Sequence, residues 1–205
     1  MTLNDRNDPQ YPQHFKLKTR QFMYKHLFVL VALSLLAAPA FAQKYFTRDG
    51  KVKFFSDASV EKIEAVNKSA TAVLDAATGK MEWKVLIKGF LFEKALMQEH
   101  FNENYLESTK YPNATFKGEI ANLSEVNLGK DGVYTARVKG KMNIHGVEKD
   151  VETTGTVKVS GSAVTMHSEF PVKCSDYNIK IEAAKVSNIS NEIKVTVDAT
   201  LNPMK

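Results

Sequence analysis

This 205-residue chain has one cysteine, one tryptophan and six prolines, so few of its residues can staple a fold or interrupt one. Cys174 alone permits no internal disulfide, so an oxidising compartment is compatible but supplies no cross-link, and stability has to come from packing. No CxxC pair and no H-x-H, H-x-x-x-H or H-E-x-x-H spacing occurs, so no metal site can be read from local motifs. A glycine-rich phosphate loop and a G-x-S-x-G elbow are also missing. No stretch carries the regular helical pattern of about 10–15 residues that alternates with strands in a βαβ protein. The longest apolar run, LFVLVALSLLAA at 27–38, is shorter than the roughly 20 residues that span a bilayer.

That run has a different use. Arg20, Lys25 and His26 precede it, and Ala40-Phe41-Ala42 follows with small residues where a signal peptidase reads. A basic flank, a short apolar centre and an A-x-A exit describe a secretory signal peptide, with cleavage after Ala42. No cysteine lies at the junction, which argues against a lipid anchor and leaves no stable membrane anchor. A signal peptide starting at Met23 would be complete, so the polar residues 1–22 read as an over-extended start. The chain thus divides into an extension and cleaved signal at 1–42 and one domain at 43–205. Residues 1–42 carry five Lys or Arg against Asp5 and Asp8, a net +3, so the formal charge of +5 falls to +2 after cleavage. The dense basic face of a nucleic-acid binder is therefore absent.

From residue 45 onward, alternation dominates. Ile193, Val195, Val197, Ala199 and Leu201 face one way, with Lys194, Thr196, Asp198 and Thr200 opposite. Tyr134, Ala136, Val138, Met142 and Ile144 repeat the pattern, as do Met81, Trp83, Val85 and Ile87, and then Val164, Met166 and Phe170. Period-two alternation marks strands with one dry and one wet face. Eight are expected, near 45–56, 67–77, 80–92, 114–124, 132–144, 149–160, 162–172 and 191–202. Turns at Ala77–Lys80, Lys130–Gly132, His145-Gly146 and Ser160–Ser162 are too short for parallel crossovers, so the sheet is antiparallel. Such strands either close into a barrel or stack as two sheets, and periodicity does not choose between them.

The alternation stops once, over residues 94–118. Phe92, Leu96, His100, Phe101 and Tyr105 recur at three- and four-residue spacing and predict an amphipathic helix, ended by Tyr111-Pro112. In an all-β chain, such a helix covers an opening or an edge. The string K-Y-P-N-A-T-F at 110–116, the preceding M-Q-E-H-F-N-E-N-Y-L at 97–106 and the N-I-H-G-V-E-K turn at 143–149 resemble the YceI-like, or polyisoprenoid-binding, family. The resemblance covers the mature chain. It implies an all-β fold: an eight-stranded antiparallel, lipocalin-like barrel with a short capping helix. It also implies a periplasmic or secreted protein that holds an isoprenoid-type amphiphilic lipid, such as a polyprenoid or isoprenoid quinone.

The inward positions expected to meet that lipid are Trp83, Val85, Ile87, Phe116, Tyr134, Val138, Met142, Met166 and Phe170, joined by Leu96, His100 and Phe101 of the cap. Ala114, Gly118, Ala136, Gly140, Gly155 and Ser168 share the inward face. They either leave room for a chain or mark twist and bulge points in a filled barrel. His145 is expected to shape its hairpin, and Cys174 to be a buried, inert thiol. The residues give no positive sign of an enzyme and none of a cofactor. Two alternatives to a lipid carrier stay open, a stress or interaction protein with a filled barrel and a barrel enzyme using His100 and His145. A homodimer is also left open. Amino-terminal sequencing of exported protein is expected to begin at Gln43; recovery of residues 1–42 intact would refute the cleavage reading.

Overall fold

The computed structural model describes residues 43–204, so the signal peptide expected at 1–42 lies outside the described residues. Nine strands form one antiparallel sheet: β1 (Lys44–Asp57), β2 (Lys62–Asp75), β3 (Lys80–Leu86), β4 (Leu91–Phe92), β5 (Asn113–Ile120), β6 (Gly132–Ile144), β7 (Val147–Ser160), β8 (Ala163–Lys173) and β9 (Glu192–Pro203). The order β1-β9-β8-β7-β6-β5-β3-β2 returns to its start because β2 also pairs with β1. Eight long strands thus close a barrel, and β4 adds a short rung on β2.

Closure follows from the alternation. Each long strand has one apolar face, and rolling the sheet hides all these faces at once while pairing both edges. The outer face carries cross-strand charge pairs, such as Lys139 with Glu119 at 3.3 Å and Lys141 with Asp150 at 3.1 Å. These are exposed and contribute little to stability.

Strand limits differ from the sequence expectation in three places, each for a local reason. The strand expected over 80–92 breaks at a 3₁₀ turn, Ile87–Gly89. Asn67, fully buried on β2, donates from Nδ2 to the Leu86 carbonyl at 2.8 Å and accepts from the Ser69 amide at 2.8 Å. Gly89 passes so close that a Cβ there would sit 2.6 Å from that same Nδ2. A side-chain amide therefore takes the place of a ladder rung, and the chain steps around it before β4 pairs with Ala65 and Val66. Second, β5 ends at Ile120 instead of reaching 124. Asn122 accepts from the Arg137 amide at 2.7 Å and donates to the Thr135 carbonyl at 3.0 Å, which turns the chain inward. The third difference is an earlier start for β2, at Lys62.

The barrel is filled at one end. Leu74, Met81, Ile120, Val157, Val164 and Leu201 pack there with Val126 and Leu128, which the loop after β5 tucks beneath the strands. A second, smaller cluster of Val52, Ala65, Ala70 and Phe90 lies toward the other end. Gly118 and Gly140 form a cross-strand pair. A Cβ on Gly140 would strike the Lys117 carbonyl, and one on Gly118 would strike the Lys139 carbonyl and the Phe116 ring. These two glycines mark close backbone approach, which is the twist-point reading, and leave no space for a guest.

The Asn67 rung gives a test. Asn67→Ala removes a buried amide that donates to the Leu86 carbonyl and accepts from the Ser69 amide, and should cost about 1–3 kcal/mol. The urea midpoint should fall accordingly; an unchanged midpoint would mean that the step in β3 has another cause.

Candidate functional site

Opposite the filled end, the barrel encloses a cavity of about 640 Å³. Its floor is the top of the packed core, at Met81, Ala136, Val157 and Met166. Its walls are apolar side chains from alternate positions of the strands, among them Trp83, Val85, Phe116, Val138, Met142 and Phe170. Val52 and Phe54 of β1 and Ile193, Val195 and Val197 of β9 complete the wall.

The lid is the insert. Helix α1 (Ala95–His100) runs directly into a π turn, Phe101–Tyr105, closed by the Leu106 amide donating to the Phe101 carbonyl at 2.9 Å. The helix ends there, before the Tyr111-Pro112 stop expected from the sequence, because Glu107 turns with a left-handed φ of 42°. Phe101 anchors the lid in a cluster of four rings. Its centroid lies 5.3 Å from Phe54, 5.6 Å from Phe90 and 5.0 Å from Phe92. Aromatic contacts at such spacing add to the stabilisation given by burial alone.

Ten of the twelve expected site residues line the cavity: Trp83, Val85, Ile87, His100, Phe101, Phe116, Val138, Met142, Met166 and Phe170. Leu96 does not. It is 61% exposed, and Met97 takes the cavity-facing place one residue later. Met97, Phe101 and Tyr105, four residues apart, face the cavity, so the inward stripe runs through Met97 and leaves Leu96 outside it. Tyr134 also stays off the cavity. It packs against the filled core, and its hydroxyl donates to the Lys130 carbonyl at 2.9 Å. Phe54 and Phe90 escaped the sequence reading, although the V-K-F-F-S alternation at 52–56 carries a signal for the first.

Polar groups at the cavity are few. His100 lies exposed at the rim. Burial pushes the Tyr105 phenol up, with Glu182 of the loop before β9 adding to the shift. The Cys174 thiol, buried against the cavity, is pushed up to about 11 by desolvation, so it stays protonated at neutral pH. Among the described residues, no three His, Cys, Asp or Glu side chains gather as metal ligands.

His145 stands apart from His100. It occupies the β6–β7 hairpin with φ 53°, beside Gly146 at 75°, the two left-handed residues of a tight turn. Its ring is turned away from the cavity, with Nδ1 3.1 Å from the Tyr177 carbonyl and Nε2 2.7 Å from a Glu107 carboxylate oxygen. Tyr111 packs edge-on against the imidazole at 4.6 Å. Among the described residues, the non-glycine positions with left-handed backbone are Glu107, His145 and Asn178, and all three belong to this clamp or adjoin it. Strain concentrated in this way persists only where surrounding contacts over-determine it. The clamp joins the end of the lid, the hairpin and the 3₁₀ turn Cys174–Tyr177.

The fold has solved counterparts. A polyisoprenoid-binding domain from Saccharophagus degradans, implicated in plant cell wall breakdown, superposes with a TM-score of 0.69 at 14% identity, covering 80% of this chain and 99% of that one. Burkholderia cenocepacia BcnA matches with a TM-score of 0.62 at 22% identity, covering 74% and 95%. A Campylobacter jejuni YceI protein matches with a TM-score of 0.54 at 17% identity, covering 68% and 84%. At these identities, the likeness concerns the fold. No curated protein sequence matches the chain. The YceI-like domain model, however, matches residues 40–201, and a match of that extent, together with the lidded barrel, places this chain in the YceI-like family.

Proposed function

We propose that this protein is an exported carrier that holds an amphiphilic lipid of the isoprenoid type in the hollow half of its barrel. The observation that carries this reading is the apolar cavity of about 640 Å³ inside the barrel, floored by packed core and partly roofed by the Phe101 lid. Its volume falls in the range of pockets that bury most of one small ligand. Each Å² of apolar ligand surface taken from water contributes roughly 25 cal/mol, so a long hydrocarbon chain is held without strong polar anchors. Met97, Met142 and Met166 in the lining adapt to a flexible guest. The Saccharophagus domain, described as polyisoprenoid-binding, supports the choice of lipid class. Export rests on the signal-like sequence at 27–42. Among the described residues, no helix is long and apolar enough to cross a membrane.

The hollow upper half counts against a barrel filled throughout, and the separation of His100 from the clamped His145 counts against an enzyme that would use both. Native mass spectrometry of protein purified from its own host should show a co-purifying lipid mass; repeated recovery of the empty chain alone would refute the carrier reading.

Trp83, the only tryptophan, lines the cavity, so titration of delipidated protein with a polyprenol should shift its emission. A flat titration with binding confirmed by another method would place the lipid elsewhere.

Two lid variants separate contact from exposure. Phe101→Ser should raise the polyprenol Kd about tenfold or more, equivalent to about 1.4 kcal/mol. Because Phe101 also packs against the smaller core, its loss should lower the unfolding midpoint as well. Leu96→Ser should change neither quantity. Equal effects of the two variants would refute the lid geometry.

A further inference from the structure

One joint in the barrel wall is only half made. The β7–β8 ladder runs from Ser160↔Ala163 to Gly155↔Ser168 and stops there. Both strands continue: β7 remains paired with β6 as far as Ile144↔Val147, and β8 remains paired with β9 as far as Lys173↔Glu192. The edges of β7 over 147–154 and of β8 over 169–173 therefore face each other without a ladder.

The fork is a defined feature. At Gly155, the strands approach so closely that a Cβ would sit 2.6 Å from the His167 carbonyl. Immediately above, Ser168 Oγ donates to the Thr154 carbonyl at 3.0 Å, and Thr153 Oγ1 lies 3.3 Å from Ser168 Oγ. Side-chain hydroxyls thus take up the last hydrogen bonds at the point of separation. Pro171 follows on β8 and has no amide to extend the ladder. The opening is closed again at its far end by His145, whose bond to the Tyr177 carbonyl ties the start of β7 to the turn after β8. The result is a framed window.

The cavity reaches the surface through this window. Val151, Thr153 and Phe170 line it from the inner face, but so do Asp150, Glu152 and His167, which point outward. Neighbouring residues of a strand face opposite sides. A cavity bordered by both sets has passed around the strand edge.

The cavity also meets the surface beside the lid, at His100 and Lys185, but widening that mouth costs more contacts. Leaving there would part Phe101 from Phe54, Phe90 and Phe92. It would also break straps from the loop before β9, where the Val60 amide donates to the Ser187 carbonyl at 2.9 Å and the Ser190 amide to Ser56 Oγ at 2.9 Å. Spreading the window breaks no ladder bond.

We propose that the window between β7 and β8 is the portal through which the amphiphile enters and leaves the barrel, with the His145 clamp as its fixed upper frame. This rests on the lipid-carrier reading and adds a route to it. The test bridges the window in a Cys174→Ser background with Glu152→Cys and Lys173→Cys, joined by a reducible bis-maleimide. A control pair, Lys139→Cys with Glu152→Cys, bridges the fully paired β6–β7 joint, where these residues are partners. Transfer of radiolabelled polyprenol from loaded protein to phosphatidylcholine vesicles is then timed. The window bridge should slow transfer at least tenfold, reduction should restore the rate, and the control bridge should have no effect. Transfer at the unbridged rate through a bridged window would overturn the portal while leaving the carrier reading intact. Failure of the unmodified protein to take up polyprenol would overturn the carrier reading, and the portal with it.

Discussion

Closure of the sheet onto itself is the constraint on which this structure depends. Strand β1 supplies the closure, since it bonds to β2 on one side and to β9, the last strand of the chain, on the other. Without the β1–β9 ladder, the sheet would present two long edges and an uncovered apolar face. With it, alternation along each strand sorts residues into an inside and an outside. Where a ladder breaks, a side chain takes up the bond at the break, as Asn67 does at Leu86 and Ser168 does at Thr154.

Closure makes a cylinder but does not decide what fills it. Here the two halves differ. At one end, Leu74, Val164 and Leu201 meet on the axis, and the loop after β5 adds Val126 and Leu128 from below. At the other end, the loop before β9 lines the cavity through Ile179, Ile181 and Ile189 without filling it. A helix lies across that end, pinned by ring contacts to β1 and β4. The filled half supplies the stability that a hollow half cannot, which lets a barrel without a disulfide keep an apolar cavity.

The lid, the β6–β7 hairpin and the turn after β8 are far apart in sequence and converge on one imidazole. His145 accordingly has two structural duties, holding a left-handed turn and linking Glu107 to Tyr177. Gly146 fits the same site because a Cβ there would collide with the Tyr111 ring at 2.5 Å. The K-Y-P and H-G-V strings, with Tyr111 and Gly146 35 positions apart, are therefore two sides of a single contact.

The sequence by itself determined the strand content, the antiparallel connections, the interrupting helix and most inward positions. Each of these depends on local period and turn chemistry, which are properties of neighbouring residues. Trp83, Val138 and Met142 were legible for that reason. Only tertiary structure decided that Tyr134 belongs to the filled half, because its height along the barrel axis depends on strand register and tilt. It also replaced Leu96 by Met97, since helical spacing sets Leu96 with His100 and Met97 with Phe101, and only packing on the barrel shows which stripe faces in. The glycines were decided in the same way: the sequence left Gly118 and Gly140 open between space and twist points, and they proved to be points of contact between strands. The unpaired half of the β7–β8 joint had no sequence signal beyond Pro171, because a missing ladder is a relation between two strands, and neither strand carries it alone.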